Sequence, residues 1–114
     1  LAEKAEKVQW ICSDIRDFTT NTTFEIWHDR ATFHFLTKED EIRKYAQLVK
    51  NAVSDTLIIA AFSLEGPEKC SGLPIRQYDE ELLKNVFSLR DEQFDLIDLV
   101  FRDLKIQFVL FFSI

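Results

Sequence analysis

Three apolar runs of strand length, each ending in a polar tip, constrain this chain more than any other feature. Val8 to Cys12 ends at Ser13-Asp14, Phe24 to Trp27 ends at His28-Asp29-Arg30, and Thr56 to Phe62 ends at Ser63. Short apolar runs rich in β-formers and bounded by polar residues read as buried strands. Between the second and third lies a helix with a legible start. Thr37-Lys38-Glu39-Asp40 fits a capping box, in which the hydroxyl takes a free backbone N–H and the acid three residues on reaches back. Ile42, Tyr45, Ala46, Val49, Ala52 and Val53 then recur at three- and four-residue spacing, one apolar face of a helix about four turns long.

Strand, helix, strand with near-continuous apolar strands predicts parallel βαβ units in an α/β fold covered on both faces. In such sheets ligands bind outside the carboxyl ends of the strands, the edge where Asp14, His28, Asp29 and Ser63 would gather. The tail follows another pattern. Asp79 can cap a short helix with Leu82, Leu83, Val86 and Phe87 on one side, and two β-rich runs follow, Phe94 to Phe101 and Ile106 to Ile114. Only Arg102 to Lys105 separates them, so they read as an antiparallel hairpin.

In this order the elements resemble strands three to seven of the Rossmann-like sheet of class I S-adenosylmethionine-dependent methyltransferases, with the C-terminal antiparallel hairpin of that fold. The resemblance rests on V-Q-W-I-C-S-D-I-R-D-F, on F-E-I-W-H-D-R-A-T-F-H-F-L and on G-P-E-K-C-S-G-L-P, the last similar to the loop after the fifth strand in a bacterial-type subgroup. It covers nearly all of residues 1–114, read as one incomplete domain. It implies S-adenosylmethionine as cofactor, with Asp14 accepting from the adenine amino group and Ile15 giving the ring a backbone N–H and an apolar contact. Trp27 and His28 would face the methionine part, and Asp29, Arg30 and Cys70 the substrate. His34 matches a histidine common in the helix after that strand. The implied reaction is displacement at the sulfonium methyl by a positioned nucleophile, with His28 the candidate base.

The departures are as informative. The family's glycine-rich turn after its first strand, and the acid after its second, have no counterpart, and the only glycines are Gly66 and Gly72 in a late loop. The opening L-A-E-K-A-E-K resembles the end of the helix before strand three. In the family order 3-2-1-4-5-7-6, loss of strands one and two opens a gap that unpaired backbone makes costly. A larger parent, direct pairing of strands three and four, and exchange with a second copy each close it. Val53-Ser54-Asp55 stands where the family often has a Pro-Gly-Gly-like turn, and the last hairpin is short for the family. The cofactor is therefore expected to bind if the missing N-terminal segment is supplied.

With 114 residues, 46% of them hydrophobic, one core is feasible. A net charge of −6 with scattered Lys and Arg argues against nucleic acid as partner. No apolar stretch approaches the roughly 20 residues of a membrane span, and no signal peptide precedes the domain, so no membrane partner and a cytoplasmic location are expected. The last ten residues, K-I-Q-F-V-L-F-F-S-I, would pair with a partner if exposed, which makes a homodimer through exposed strands one arrangement.

The candidate residues have plainer readings too. Cys12 reads as a buried small hydrophobe and Cys70 as a free thiol, or, more sharply, as a group at the active-site rim. Two histidines six apart without a cysteine partner are a weak metal signal, so no metal is expected. Asp29 and Arg30 could pair locally at a helix start, Asp17 reads as a turn or cap, and Phe33 and Phe35 either flank the cofactor or pack. Two functions follow: methyl transfer to a small molecule or protein side chain within a larger methyltransferase, or an inactive remnant that associates without cofactor.

Overall fold

A computed structural model describes residues 7–30, 32–90, 92, 94–101 and 104–112, the last two segments through their backbone pairing. The expected L-A-E-K-A-E-K helix end, the tip of the last hairpin at Arg102 and Asp103, and the terminal Ser113-Ile114 lie wholly or mostly outside the described residues. Among the described residues there are six strands and two α-helices: β1 (Phe24–Asp29), α1 (Glu39–Ala52), β2 (Val53–Phe62), β3 (Lys69–Cys70), β4 (Leu73–Pro74), α2 (Glu80–Phe87), β5 (Phe94–Phe101) and β6 (Leu104–Phe112). A single 3₁₀ turn, Phe33–Phe35, follows β1.

The main sheet has the order β1-β2-β6-β5. β1 and β2 are parallel, with Trp27 opposite Leu57 and Asp29 opposite Ile59. β6 runs antiparallel to both β2 and β5, and the β5–β6 register brings Phe101 opposite Leu104. This is the 4-5-7-6 part of the expected order, and β6 is paired on both sides. The terminal strand, expected to pair with a partner only if exposed, is interior, and the open edges of the described sheet belong to β1 and β5.

The apolar face of α1 behaves as its spacing predicts, with Ile42, Tyr45, Val49 and Ala52 buried against Leu57, Ile59 and Ala61 of β2. Alternation along β2 turns these three side chains to the same side. Phe33 stands at the centre of the core, its ring 4.9 Å from Tyr78, 5.0 Å from Tyr45 and 5.3 Å from Phe87. On α2, Asp79 accepts from the Leu82 N–H at 2.8 Å, the expected cap, and Leu83 and Phe87 are buried beneath it. Ser88 closes that helix in the left-handed region at φ 53°.

Four expectations are corrected. Val8 to Cys12 forms no strand: Trp10 is 80% exposed, Ile11 57%, and Cys12 is exposed rather than buried. A strand needs ladder bonds to a neighbour, and no described segment pairs with β1 on its outer edge. The capping box does not form either. Lys38 is the N-cap and α1 begins at Glu39, one residue late for the Thr37 hydroxyl, so Glu39, Asp40 and Glu41 support the helix start through its dipole instead. Val53, counted on the helix face, instead opens β2, which begins before the expected Thr56, so α1 passes into β2 without a connecting residue. Within G-P-E-K-C-S-G-L-P, a small hairpin replaces a plain loop. Cys70 pairs with Leu73 across Ser71 and Gly72, whose φ values of 53° and 79° are the two left-handed positions of a type I′ turn.

Candidate functional site

The end of β1 is built around one carboxylate. Asp29 is 6% exposed, and its oxygens accept from the Thr32 N–H at 2.9 Å, from the Phe33 N–H at 3.1 and 3.3 Å, and from the Tyr45 hydroxyl at 2.5 Å. Tyr45 in turn accepts from the indole N–H of Trp27 at 3.1 Å. Burial and the neighbouring Asp29 charge push the Tyr45 hydroxyl far above its ordinary range, so it stays a proton donor. Asp29, expected to meet Arg30 or substrate, instead caps the 3₁₀ turn and ties β1 to α1. Arg30 and His28 stand exposed beside it, and Trp27 is half-buried with its ring edge-on to Tyr45, Phe18 and Phe24.

At the end of β2, the buried polar atoms His34 Nε2, Ser63 Oγ and the Tyr78 hydroxyl have no partner among the described residues. The His34 ring stacks on Phe62 at 5.4 Å, and its carbonyl accepts from the Arg76 N–H at 2.9 Å. Tyr78 donates its own N–H to the Phe62 carbonyl at 2.9 Å. Burial lowers the His34 pKa from its ordinary value, against an opposing pull from Asp29, and raises the Tyr78 hydroxyl to about 12. Phe35 is half-buried and Phe33 fully buried, so of these two only Phe35 reaches a cleft.

Asp14 and Ile15 lie in a turn, closed by the Asp17 N–H on the Asp14 carbonyl at 3.0 Å. They border a cleft of about 460 Å³ whose other walls are Phe35 and Leu36 after β1 and Leu73 and Pro74 of the β3–β4 hairpin. A second cleft, about 440 Å³, runs between residues 15–20 and the outer side of α1. Trp27, His28, Asp29, Arg30 and Cys70 line neither of these two clefts. Cys70 is half-buried at the base of the hairpin that carries Leu73 and Pro74 to the first cleft.

The structure thus brings Asp14 and Ile15 to one cavity, and sets the β1 tip and Cys70 apart from it. Sequence reading missed Arg16 and Glu41, which line both clefts, and the two wall residues of the hairpin. Ser-Gly between K-C and L-P was an available hairpin signal. Among the described residues no three His, Cys, Asp or Glu side chains are grouped to hold a metal ion, and no helix is long and apolar enough to cross a membrane.

A carboxylate beside an apolar residue on a cleft of this size could hold a flat ring that carries an amine.

No protein-family model and no curated protein matches the chain. Among solved structures it is similar to the N-methyltransferase NodS from Bradyrhizobium japonicum WM9, with a TM-score of 0.67 and 11% identity over 98% of this chain and 65% of that one. It is similar also to magnesium protoporphyrin IX methyltransferase (ChlM) from Synechocystis PCC 6803, with a TM-score of 0.63, 12% identity, and 99% and 52% of the two chains. A third similar structure is OxaC in complex with sinefungin and meleagrin, with a TM-score of 0.60, 14% identity, and 99% and 32% of the two chains. At such identities the likeness is one of fold: a Rossmann-like methyltransferase sheet, of which this chain spans less than two thirds of each neighbour's length.

Proposed function

We propose that this chain is part of an S-adenosylmethionine-dependent methyltransferase that acts on a small molecule or a protein side chain. One observation carries the reading: two parallel strands continued by an antiparallel pair, in the order β1-β2-β6-β5, superpose over 98% of the chain on a methyltransferase. One neighbouring NodS structure holds S-adenosylhomocysteine and the ChlM structure holds S-adenosylmethionine, which supports the same cofactor here.

The cofactor, when bound, supplies an electrophilic methyl group. The chain's part is to hold and orient. Asp14 accepts from the adenine amine and Ile15 contacts the ring, at the cleft both residues border. Trp27 and His28 contribute from the β1 tip, where the Tyr45–Asp29 linkage holds the backbone rigid. Arg30 beside them, and Cys70 behind the hairpin, belong to the acceptor side, and Asp29 serves that side by fixing the turn rather than by direct contact. His28, exposed at the strand tip, is the group to take a proton from an acceptor that must lose one. The outer edge of β1 is where further strands of a complete sheet would pair.

Calorimetric titration of S-adenosylmethionine into this chain, beside a form extended at its N-terminus, tests the reading. Binding to the extended form alone means that the pocket is completed from outside these residues. No binding to either rejects the proposal.

A second reading, an association domain that works without cofactor, is favoured by the open edge of β1 with Ile26 61% exposed and Trp10 and Ile11 exposed nearby in sequence. A sedimentation series that stays monomeric at all concentrations rejects it.

A further inference from the structure

Sequence reading placed Asp14 at the end of a strand, and a strand would have aimed its side chain. That strand does not form, yet the carboxylate is firmly directed. Arg16 does this alone: its backbone N–H and its Nε both donate to Asp14 Oδ1, at 2.9 and 3.0 Å, and its Nη2 donates to Oδ2 at 2.7 Å. The fork is held from the far side by Glu41 of α1, whose Oε2 accepts from Arg16 Nη1 at 3.2 Å. Glu41 is the best-covered member of the trio, its side chain 18% exposed against 56% for Arg16 and 42% for Asp14. Its helix is fixed in the core through Ile42 and Tyr45, so the guanidinium is anchored to the rigid part of the fold.

A carboxylate offers about four lone-pair directions. Arg16 takes both on Oδ1 and one on Oδ2, which leaves a single acceptor direction on Oδ2. The same bridge spans the ground shared by the two clefts, since Ile15, Arg16, Leu36 and Glu41 line both.

We propose that Arg16, braced by Glu41, is a positioning residue that turns the one free lone pair of Asp14 toward the exocyclic amine of an adenine in the 460 Å³ cleft. The inference rests on the reading that Asp14 receives the adenine. It replaces strand-end positioning by an ion-pair brace between a turn and a helix. Planar bidentate geometry is what Arg supplies and Lys does not.

Two measurements on the full chain separate this inference from the reading beneath it. The first needs no cofactor: a carbon-13 titration of the Asp14 carboxyl. Arg16 holds that carboxyl well down, at about 2. The other charged groups near it are Asp17 on its own turn and Glu41 of α1, which lines the same cleft. In Arg16→Gln the midpoint is expected to return toward the ordinary 3.8. An ordinary midpoint in the unaltered chain overturns the brace, whatever the chain binds.

The second compares S-adenosylhomocysteine with S-inosylhomocysteine, which carries a carbonyl in place of the amine. The unaltered chain should prefer the adenine compound. Arg16→Gln and Glu41→Gln should reduce that preference, by about tenfold for the former, with Arg16→Lys between them and the unaltered chain. Preference retained in all three variants overturns the positioning role and leaves Asp14 as adenine acceptor. Absence of any preference in the unaltered chain, or of binding both to it and to the form extended at its N-terminus, overturns the Asp14 reading and the inference with it. Circular dichroism melting curves check that the three substitutions leave the fold intact.

Discussion

The Tyr45 hydroxyl on α1 donates to the Asp29 carboxylate at the end of β1, 2.5 Å away, while it accepts from Trp27 on the same strand. A helix, a strand and the turn that follows it are thus joined at one buried oxygen. Tyr45→Phe leaves the Trp27 N–H without its acceptor and Asp29 without one donor, and should destabilise the chain by about 1–3 kcal/mol. Urea unfolding followed by Trp27 fluorescence measures this. A loss within error would mean that water replaces the hydroxyl, and that the linkage is looser than its geometry.

Tyr78 tests the opposite case. Its ring is fully buried, but its hydroxyl has no partner among the described residues. Tyr78→Phe keeps the stack on Phe33 and removes a buried group that burial penalises, so it should change stability by less than about 1 kcal/mol or raise it. A loss of about 2 kcal/mol or more would show that the hydroxyl bonds to something in the folded chain.

His34 predicts a pH dependence. Its folded pKa lies below its ordinary 6.5, because burial disfavours the imidazolium more than Asp29 favours it. Below 6.5 the unfolded chain takes up a proton that the folded chain still refuses, so stability falls as pH drops from 6.5 toward the folded value. Above 6.5 the residue adds no pH dependence. Urea midpoints between about pH 7.5 and 5.5 should decline in the unaltered chain and flatten in His34→Gln. An equal decline in both would assign the effect to other groups.

The hairpin turn at Ser71-Gly72 gives a local prediction. An added Cβ at Gly72 meets nothing within 4 Å, so only its φ of 79° resists substitution. Gly72→Ala should weaken the hairpin by about 1 kcal/mol, seen as faster amide hydrogen exchange across the Lys69–Pro74 pairing. Unchanged exchange would mean that neighbouring contacts, rather than turn geometry, hold these short strands.

What the sequence made legible were features whose signal is local. Asp79 caps α2 because a short acidic side chain beside the first free N–H groups needs no distant partner. The buried face of α1 follows from spacing alone. Val8 to Cys12 shows the limit: β-propensity is a preference for a place in a sheet, and an apolar run without a neighbour stays exposed. Thr37 failed by one residue, a shift that propensity does not resolve. At the site, Asp14 stood out as a carboxylate after an apolar run, but Glu41 is 25 residues from the arginine it braces, a separation that no local pattern encodes.

The junction between Ala52 and Val53, where α1 ends and β2 begins without an intervening residue, couples two periodicities that proteins usually keep apart. An extra residue there could not be absorbed as slack. Accommodated in the helix, it would rotate the preceding turns by about 100° and turn Tyr45 away from Asp29. Accommodated in the strand, it would exchange the two faces of β2 and carry Leu57, Ile59 and Ala61 out of the core. Here the phase of a helix and the pleat of a sheet share one origin, and the length of the chain at that point is as tightly specified as any side chain.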